Sequence, residues 1–278
     1  MLRSASVDHE ALIFLHIPKT AGTTLNRIIE WQYSPVSIFT VDPHRIRATV
    51  ARFKTFSEQR RRQFRVVRGH LLYGIHEFLP QGATYITMLR EPAARLVSSY
   101  HFILRRPLHP LHRKLKKERL GVEDLIRLTP HRQNLQCRFI AGVGTAGVCD
   151  ERALDIAKEN LIRSFPVVGL CERFEESLLL MIRSFGWEVA SYKNCKVSKV
   201  RPVVDPRLYD MIREHNRLDV ELYDFAEKLF EENLRKKEPL IGEELNNTVP
   251  NQLGLFSTLC RSKLGVSRFL ISKIVSAI

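Results

Sequence analysis

Between Ala11 and Trp31 the sequence passes from an apolar run to an amphipathic one through a single short turn, His16-Ile17-Pro18-Lys19-Thr20-Ala21-Gly22-Thr23. The run Ala11 to Leu15 has the composition of a buried strand, and Thr24 to Trp31 has the period of a helix. A strand feeding a helix so directly points to an α/β chain with a parallel sheet. The start of a helix presents unpaired N–H groups and a partial positive charge. Gly22 lets an anion approach the backbone closely. Lys19 adds a full charge, and Thr20, Thr23 and Thr24 add hydroxyl donors, so the turn reads as a site for a phosphate-like group. The plainer alternative is a connection whose Gly and Thr serve only the turn and the cap. The triphosphate loop G-x-x-x-x-G-K-[ST] does not fit, because Lys19 comes before Gly22 instead of after it. The anion is therefore expected to be held without a dedicated metal.

Further along, the apolar run Phe64 to Val67 predicts a strand that ends in Arg68-Gly69-His70. Functional groups of open α/β sheets gather beyond the carboxyl ends of the strands. That position sets His70 above the other nine histidines as a near-neutral base, with His76 in reserve and helix capping as the structural alternative. Thr84 to Leu89 predicts another strand, leading into Arg90-Glu91-Pro92 and a helix that carries Ser98. Arg suits a phosphate because its planar fork makes two hydrogen bonds to one group.

The segment His-Ile-Pro-Lys-Thr-Ala-Gly-Thr-Thr (16–24) resembles the 5′-phosphosulfate loop of sulfotransferases that use 3′-phosphoadenosine 5′-phosphosulfate (PAPS). It is most similar to the branch of the heparan sulfate 2-O-sulfotransferases and their bacterial relatives. Gly69-His70 resembles that family's catalytic-base segment. Arg90 and Ser98, eight residues apart, resemble its 3′-phosphate site. The stretches 134–142 and 168–178 resemble further family segments, and the likeness runs over about residues 11–235. It implies a P-loop-like three-layer α/β/α sandwich with a central parallel sheet, and PAPS as co-substrate. It also implies sulfuryl transfer to an acceptor hydroxyl on a carbohydrate or glycan. The implied roles are His70 as base, Lys19 as the group stabilising the departing 5′-phosphate, and Thr20, Gly22, Thr23 and Thr24 on the phosphosulfate. Lys199 and Arg201 lie in a polar linker that in the family can close over the cofactor.

A net charge of +14 over 278 residues implies polyanionic partners without choosing among them. Arg105, Arg106, Arg113, Lys114, Lys116, Lys117 and Arg119 crowd one loop and short helix, and Arg60, Arg61 and Arg62 end a basic helix predicted over 44–62. Each reads either as a solvated face or as an acceptor edge. The first lacks interleaved aromatics, which disfavours single-stranded nucleic acid. Cys137, Cys149, Cys171, Cys195 and Cys260 show no zinc spacing and read as reduced thiols.

The expected organisation is an N-terminal tail (1–10), a catalytic domain (11–235) and a C-terminal extension (236–278). No signal peptide or membrane span is evident, so a cytoplasmic protein is expected. The basic amphipathic run 255–278 suits peripheral contact with an anionic membrane, docking on the enzyme body or a second subunit. Two other classes compete with the transferase: a non-catalytic binder of nucleic acid or acidic glycan, and a nucleotide-dependent phosphotransferase.

Overall fold

Four largely apolar stretches of four to seven residues become strands: β1 (Ala11–Leu15), β3 (Val66–Gly69) and β4 (Ala83–Leu89) in the interior of the sheet and β5 (Val167–Leu170) at one edge. Such runs suit parallel strands covered on both faces, and every residue of β1, β3 and β5 is buried. A fifth strand, β2 (Ile38–Thr40), pairs at the other edge. The computed structural model describes residues 10–144, 146–188 and 205–247. All pairings are parallel, in the order β2-β3-β1-β4-β5.

The helices are α1 (Gly22–Gln32), α2 (Ile46–Lys54), α3 (Glu58–Arg62), α4 (Pro92–Leu104), α5 (His112–Lys117), α6 (Val122–Leu128), α7 (Leu135–Ile140), α8 (Glu151–Ser164), α9 (Phe174–Phe185), α10 (Pro206–His215) and α11 (Arg217–Asn247). From β1 the chain crosses toward β2, and from β2 onward it returns the other way. Right-handed crossovers then lay α1 on one face and the helices of the return connections on the other. This is the P-loop-like α/β/α sandwich. Residues 1–233 form one compact unit and 234–278 a second.

Three sequence expectations change. The loop expected after Pro35 contains β2, a strand too short and exposed to leave a hydrophobic pattern. The basic helix over 44–62 is two helices, because Ser57 starts α3 by accepting the Arg60 N–H at 3.3 Å. The long helical region after Pro206 divides at Asn216, whose amide side chain returns to the Ile212 carbonyl at 2.9 Å. Lys199, Arg201 and the run 255–278 lie outside the described residues. Among the described residues no helix is long and apolar enough to cross a membrane.

The topology fixes where chemistry gathers. The chain leaves β1 in one direction and β4 in the other, so the crevice between their carboxyl ends is a switch point of the sheet. α4 borders it and is anchored by a second core in which Leu96, Val97 and Ile103 pack with Leu115, Leu125 and Ile212.

Candidate active site

The turn after β1 is built by backbone conformation more than by side-chain caps. Lys19 (φ 75°) and Ala21 (φ 58°) both adopt left-handed geometry, unfavourable for residues with a Cβ. No side chain caps α1, whose N-cap is Ala21. Alternating conformations of this kind form concave nests of N–H groups. Thr20 is fully buried and donates its hydroxyl hydrogen to the Ile17 carbonyl at 2.8 Å, so that hydrogen braces the turn. Thr23 is half-buried and Thr24 buried on the first turn of α1.

Gly22 has a second reason to be glycine. A Cβ there would stand 2.0 Å from His16 Nε2. The His16 ring thus lies directly on the first residue of α1, stacked on Phe14 with centroids 5.3 Å apart. It is 4.4 Å from the His70 ring. Sequence reasoning passed over His16, since nothing in its spacing reports that its ring folds back over the helix start.

His70 follows Gly69, whose φ of +137° and approach to Val41 exclude a side chain: a Cβ would meet Val41 Cβ at 2.8 Å. Before it, buried Arg68 donates to Thr40 Oγ1 and the Asn26 carbonyl at 3.0 Å each and to Glu30 Oε1 at 2.6 Å, tying α1 to the sheet. His70 Nδ1 lies 2.6 Å from the His16 carbonyl. A carbonyl only accepts, so Nδ1 carries the hydrogen and Nε2 the lone pair. Burial lowers the His70 pKa, partly opposed by that hydrogen bond. Burial thus favours the neutral form of the ring. His76 is committed elsewhere: its Nδ1 lies 2.9 Å from the fully buried Tyr85 hydroxyl, which also accepts the Gly74 and His76 N–H groups.

Arg90 reaches the turn after β1, with Nη1 donating to the Lys19 carbonyl at 3.3 Å. Gln136, fully buried on α7, clamps the Arg90 backbone. It accepts the Arg90 N–H at 2.9 Å and donates to the Arg90 carbonyl at 2.8 Å. Asp219 holds α7 in turn, accepting the Gln136 and Cys137 N–H groups at 3.2 and 2.8 Å and facing Arg95 at 3.8 Å. Burial raises the Asp219 carboxyl pKa, and Arg95 and those N–H groups oppose the rise. Glu172, at the end of β5, lies 4.0 Å from Arg90 Nε and accepts the Tyr223 hydroxyl at 2.8 Å. Among the described residues Arg90 Nε has no hydrogen-bond partner, although it is buried. Ser98 is half-buried on α4, two turns beyond Arg90.

The structure thus brings Lys19, Gly22, His70 and Arg90 to the ends of three adjacent strands, with His16, Gln136 and Glu172 added. An uncapped helix start, a left-handed turn, two cations and an orphaned guanidinium N–H match a multiply charged anion such as a phosphosulfate nucleotide. Such an arrangement suits an α/β group-transfer enzyme with an anionic donor.

The galactose-3-O-sulfotransferase family profile matches residues 3–245. Human heparan sulfate 2-O-sulfotransferase 1 is 25% identical over 266 residues, spanning 82% of this chain and 74% of that protein. Bovine galactose-3-O-sulfotransferase 3 is 27% identical over 246 residues, spanning 80% and 57%. Mouse sulfotransferase SULT7A1, solved with PAP, is 16% identical with a TM-score of 0.40, covering 66% of this chain and 60% of that one. The chain belongs to the galactose-3-O-sulfotransferase family and is a PAPS-dependent sulfotransferase. The polyanion-binder and phosphotransferase readings give way to that membership.

Proposed function

We propose that the enzyme transfers a sulfuryl group from PAPS to a hydroxyl of a carbohydrate, with His70 as general base and Lys19 as charge stabiliser. PAPS supplies the activated sulfuryl group. His70 accepts the acceptor's hydroxyl proton at Nε2 as the acceptor oxygen bonds to sulfur. The Lys19 ammonium stabilises the charge that gathers on the bridging oxygen as the sulfur–oxygen bond to the 5′-phosphate breaks. The N–H groups around Thr20, Gly22, Thr23 and Thr24 hold the phosphosulfate. Arg90 and Ser98 take the 3′-phosphate and so separate this donor from ADP. The catalytic domain in this reading is residues 11–235.

A carbohydrate acceptor is supported by relatives named for heparan sulfate and galactose. An acidic glycan is favoured by the segment 105–119, where Arg105, Arg106, Arg113, Lys114, Lys116, Lys117 and Arg119 are all exposed and Glu118 is the only acid. Opposite charge on the acceptor would steer it to this edge.

The observation that supports the reading is the His70 Nδ1 hydrogen bond to the His16 carbonyl, which leaves the lone pair on Nε2. His70→Ala is expected to lower transfer to a saccharide acceptor by about 10²–10⁴-fold, with PAP affinity near wild type by calorimetry. In the parent enzyme the pH profile of transfer has an acid limb. The base must be neutral and burial lowers its pKa, so activity is expected to fall with acid only below the ordinary imidazole range. The fold loses stability in the same direction, because the unfolded chain binds that proton more readily. Wild-type turnover in His70→Ala would remove His70 from the mechanism.

A further inference from the structure

Lys19 and α4 meet through an aromatic ring. Lys19 Nζ lies over Phe102, 4.3 Å from the ring centroid. Phe102 is half-buried on α4, one turn beyond Ser98 and on the same face at i, i+4. The turn that follows α4 also meets the ring. Arg106 Cζ is 5.2 Å from the centroid, and His109 meets the ring edge-on at 6.5 Å. That turn is itself fixed, with His109 N–H donating to the Arg106 carbonyl at 2.9 Å and Leu111 N–H to His109 Nδ1 at 3.2 Å.

We infer that Phe102 is a positioning residue for sulfuryl transfer, its π face holding the Lys19 ammonium where the bridging oxygen of the donor will lie. The inference rests on the role proposed for Lys19. A long, flexible side chain gains from each contact that fixes its end. An aromatic face attracts the ammonium through its quadrupole and leaves the formal charge intact. The preorganisation gained is the kind that raises kcat more than donor affinity. Because Phe102 and Ser98 share a helix face, one rigid element sets both the lysine and the 3′-phosphate residue.

The test replaces Phe102 by mono-, di- and trifluorophenylalanine, which weaken the ring quadrupole stepwise at nearly constant shape, and by leucine. The expected result is a stepwise fall in kcat, reaching about tenfold in Phe102→Leu, with the KM for PAPS and the affinity for PAP unchanged. In the ligand-free enzyme with [ε-¹³C]lysine, the Lys19 ε-proton resonance is expected upfield from the ring current and returned to the ordinary position in Phe102→Leu. A flat fluorination series, or an unshifted Lys19 resonance in the parent, overturns the inference. Lys19→Ala run beside the series separates the two ideas. A large kcat loss there with a flat series defeats only the role of Phe102. Wild-type kcat in Lys19→Ala defeats the reading of Lys19 and this inference with it.

Discussion

Two strand-to-helix turns lie next to each other at the carboxyl edge of the sheet, and they are finished in opposite ways. After β1 the N-cap is Ala21 in left-handed geometry, and no side chain caps the helix by a hydrogen bond, the His16 ring lying on Gly22 instead. After β4 the N-cap is Glu91, whose carboxylate accepts the Ala94 N–H at 2.7 Å, with Pro92 in the first turn. Pro92 has no N–H to satisfy and its ring presets the helical φ. Glu91 also receives Arg213 at 3.0 Å. The first turn leaves its helix start without a side-chain cap, returns the Thr24 N–H to the Ala21 carbonyl at 3.0 Å and accepts conformational strain. The second spends its donors internally. In the proposed site the first turn would therefore bind through backbone and the second through one side chain, Arg90, and substitutions should act on the two halves differently.

The largest expected effect is on the capped side. Arg90→Ala removes a charged, forked donor from the 3′-phosphate. PAP affinity should fall by about 10- to 100-fold, the worth of one hydrogen bond to a charged group. ADP, which lacks that phosphate, should bind as before. Calorimetry with the two nucleotides reads this directly. Equal losses for both would place Arg90 on the phosphosulfate half and erase the division of labour.

A smaller effect tests how that side chain is held. Gln136→Leu keeps the volume but leaves the Arg90 N–H and carbonyl without the partners they have at 2.9 and 2.8 Å. A buried unsatisfied backbone group costs about 1–3 kcal/mol, so a Tm lower by several degrees is expected, with a loss of PAP affinity smaller than in Arg90→Ala. An unchanged Tm with full PAP affinity would mean that the clamp does not position Arg90.

Which of these parts the sequence discloses depends on whether a role is local. The ends of β1 and β4 are legible because a parallel sheet buries apolar runs; the strand expected over 64–67 lies two residues on, at Val66–Gly69, so His70 follows it directly as Arg90 follows β4. β2 is hidden because three half-exposed residues between two prolines have no pattern. Gln136, Glu172 and Asp219 are hidden for another reason. They meet Arg90 and α7 across 46 to 83 residues of chain, and no spacing rule links a buried amide on one helix to a backbone group on a distant strand end. The segment 134–142 is recognisable as a recurring block, but its purpose appears only when Gln136 is seen on Arg90. His16 and Phe102 are hidden although they lie beside or near the motifs, because ring direction and cation–π contact depend on rotamers that composition does not report.

The smallest effect is the sharpest on the comparison, since its sign should differ between the two turns. Ala21 sits at φ 58°, where a Cβ costs roughly 1–2 kcal/mol. Ala21→Gly removes that strain but gives the unfolded chain more freedom, which returns about 0.4–1 kcal/mol. The net expectation is a stabilisation of about 0.5 kcal/mol, seen as a rise in the denaturation midpoint at unchanged slope. At Glu91, with φ −49° and a filled cap, there is no such strain to release. Glu91→Ala should destabilise by about 1 kcal/mol as the Ala94 N–H loses its acceptor. A destabilised Ala21→Gly would mean that Ala21 is held in place by packing that outweighs its backbone strain. The turn after β1 would then be a rigid structural corner, and its open N–H groups an incidental result of that corner instead of the reason for it.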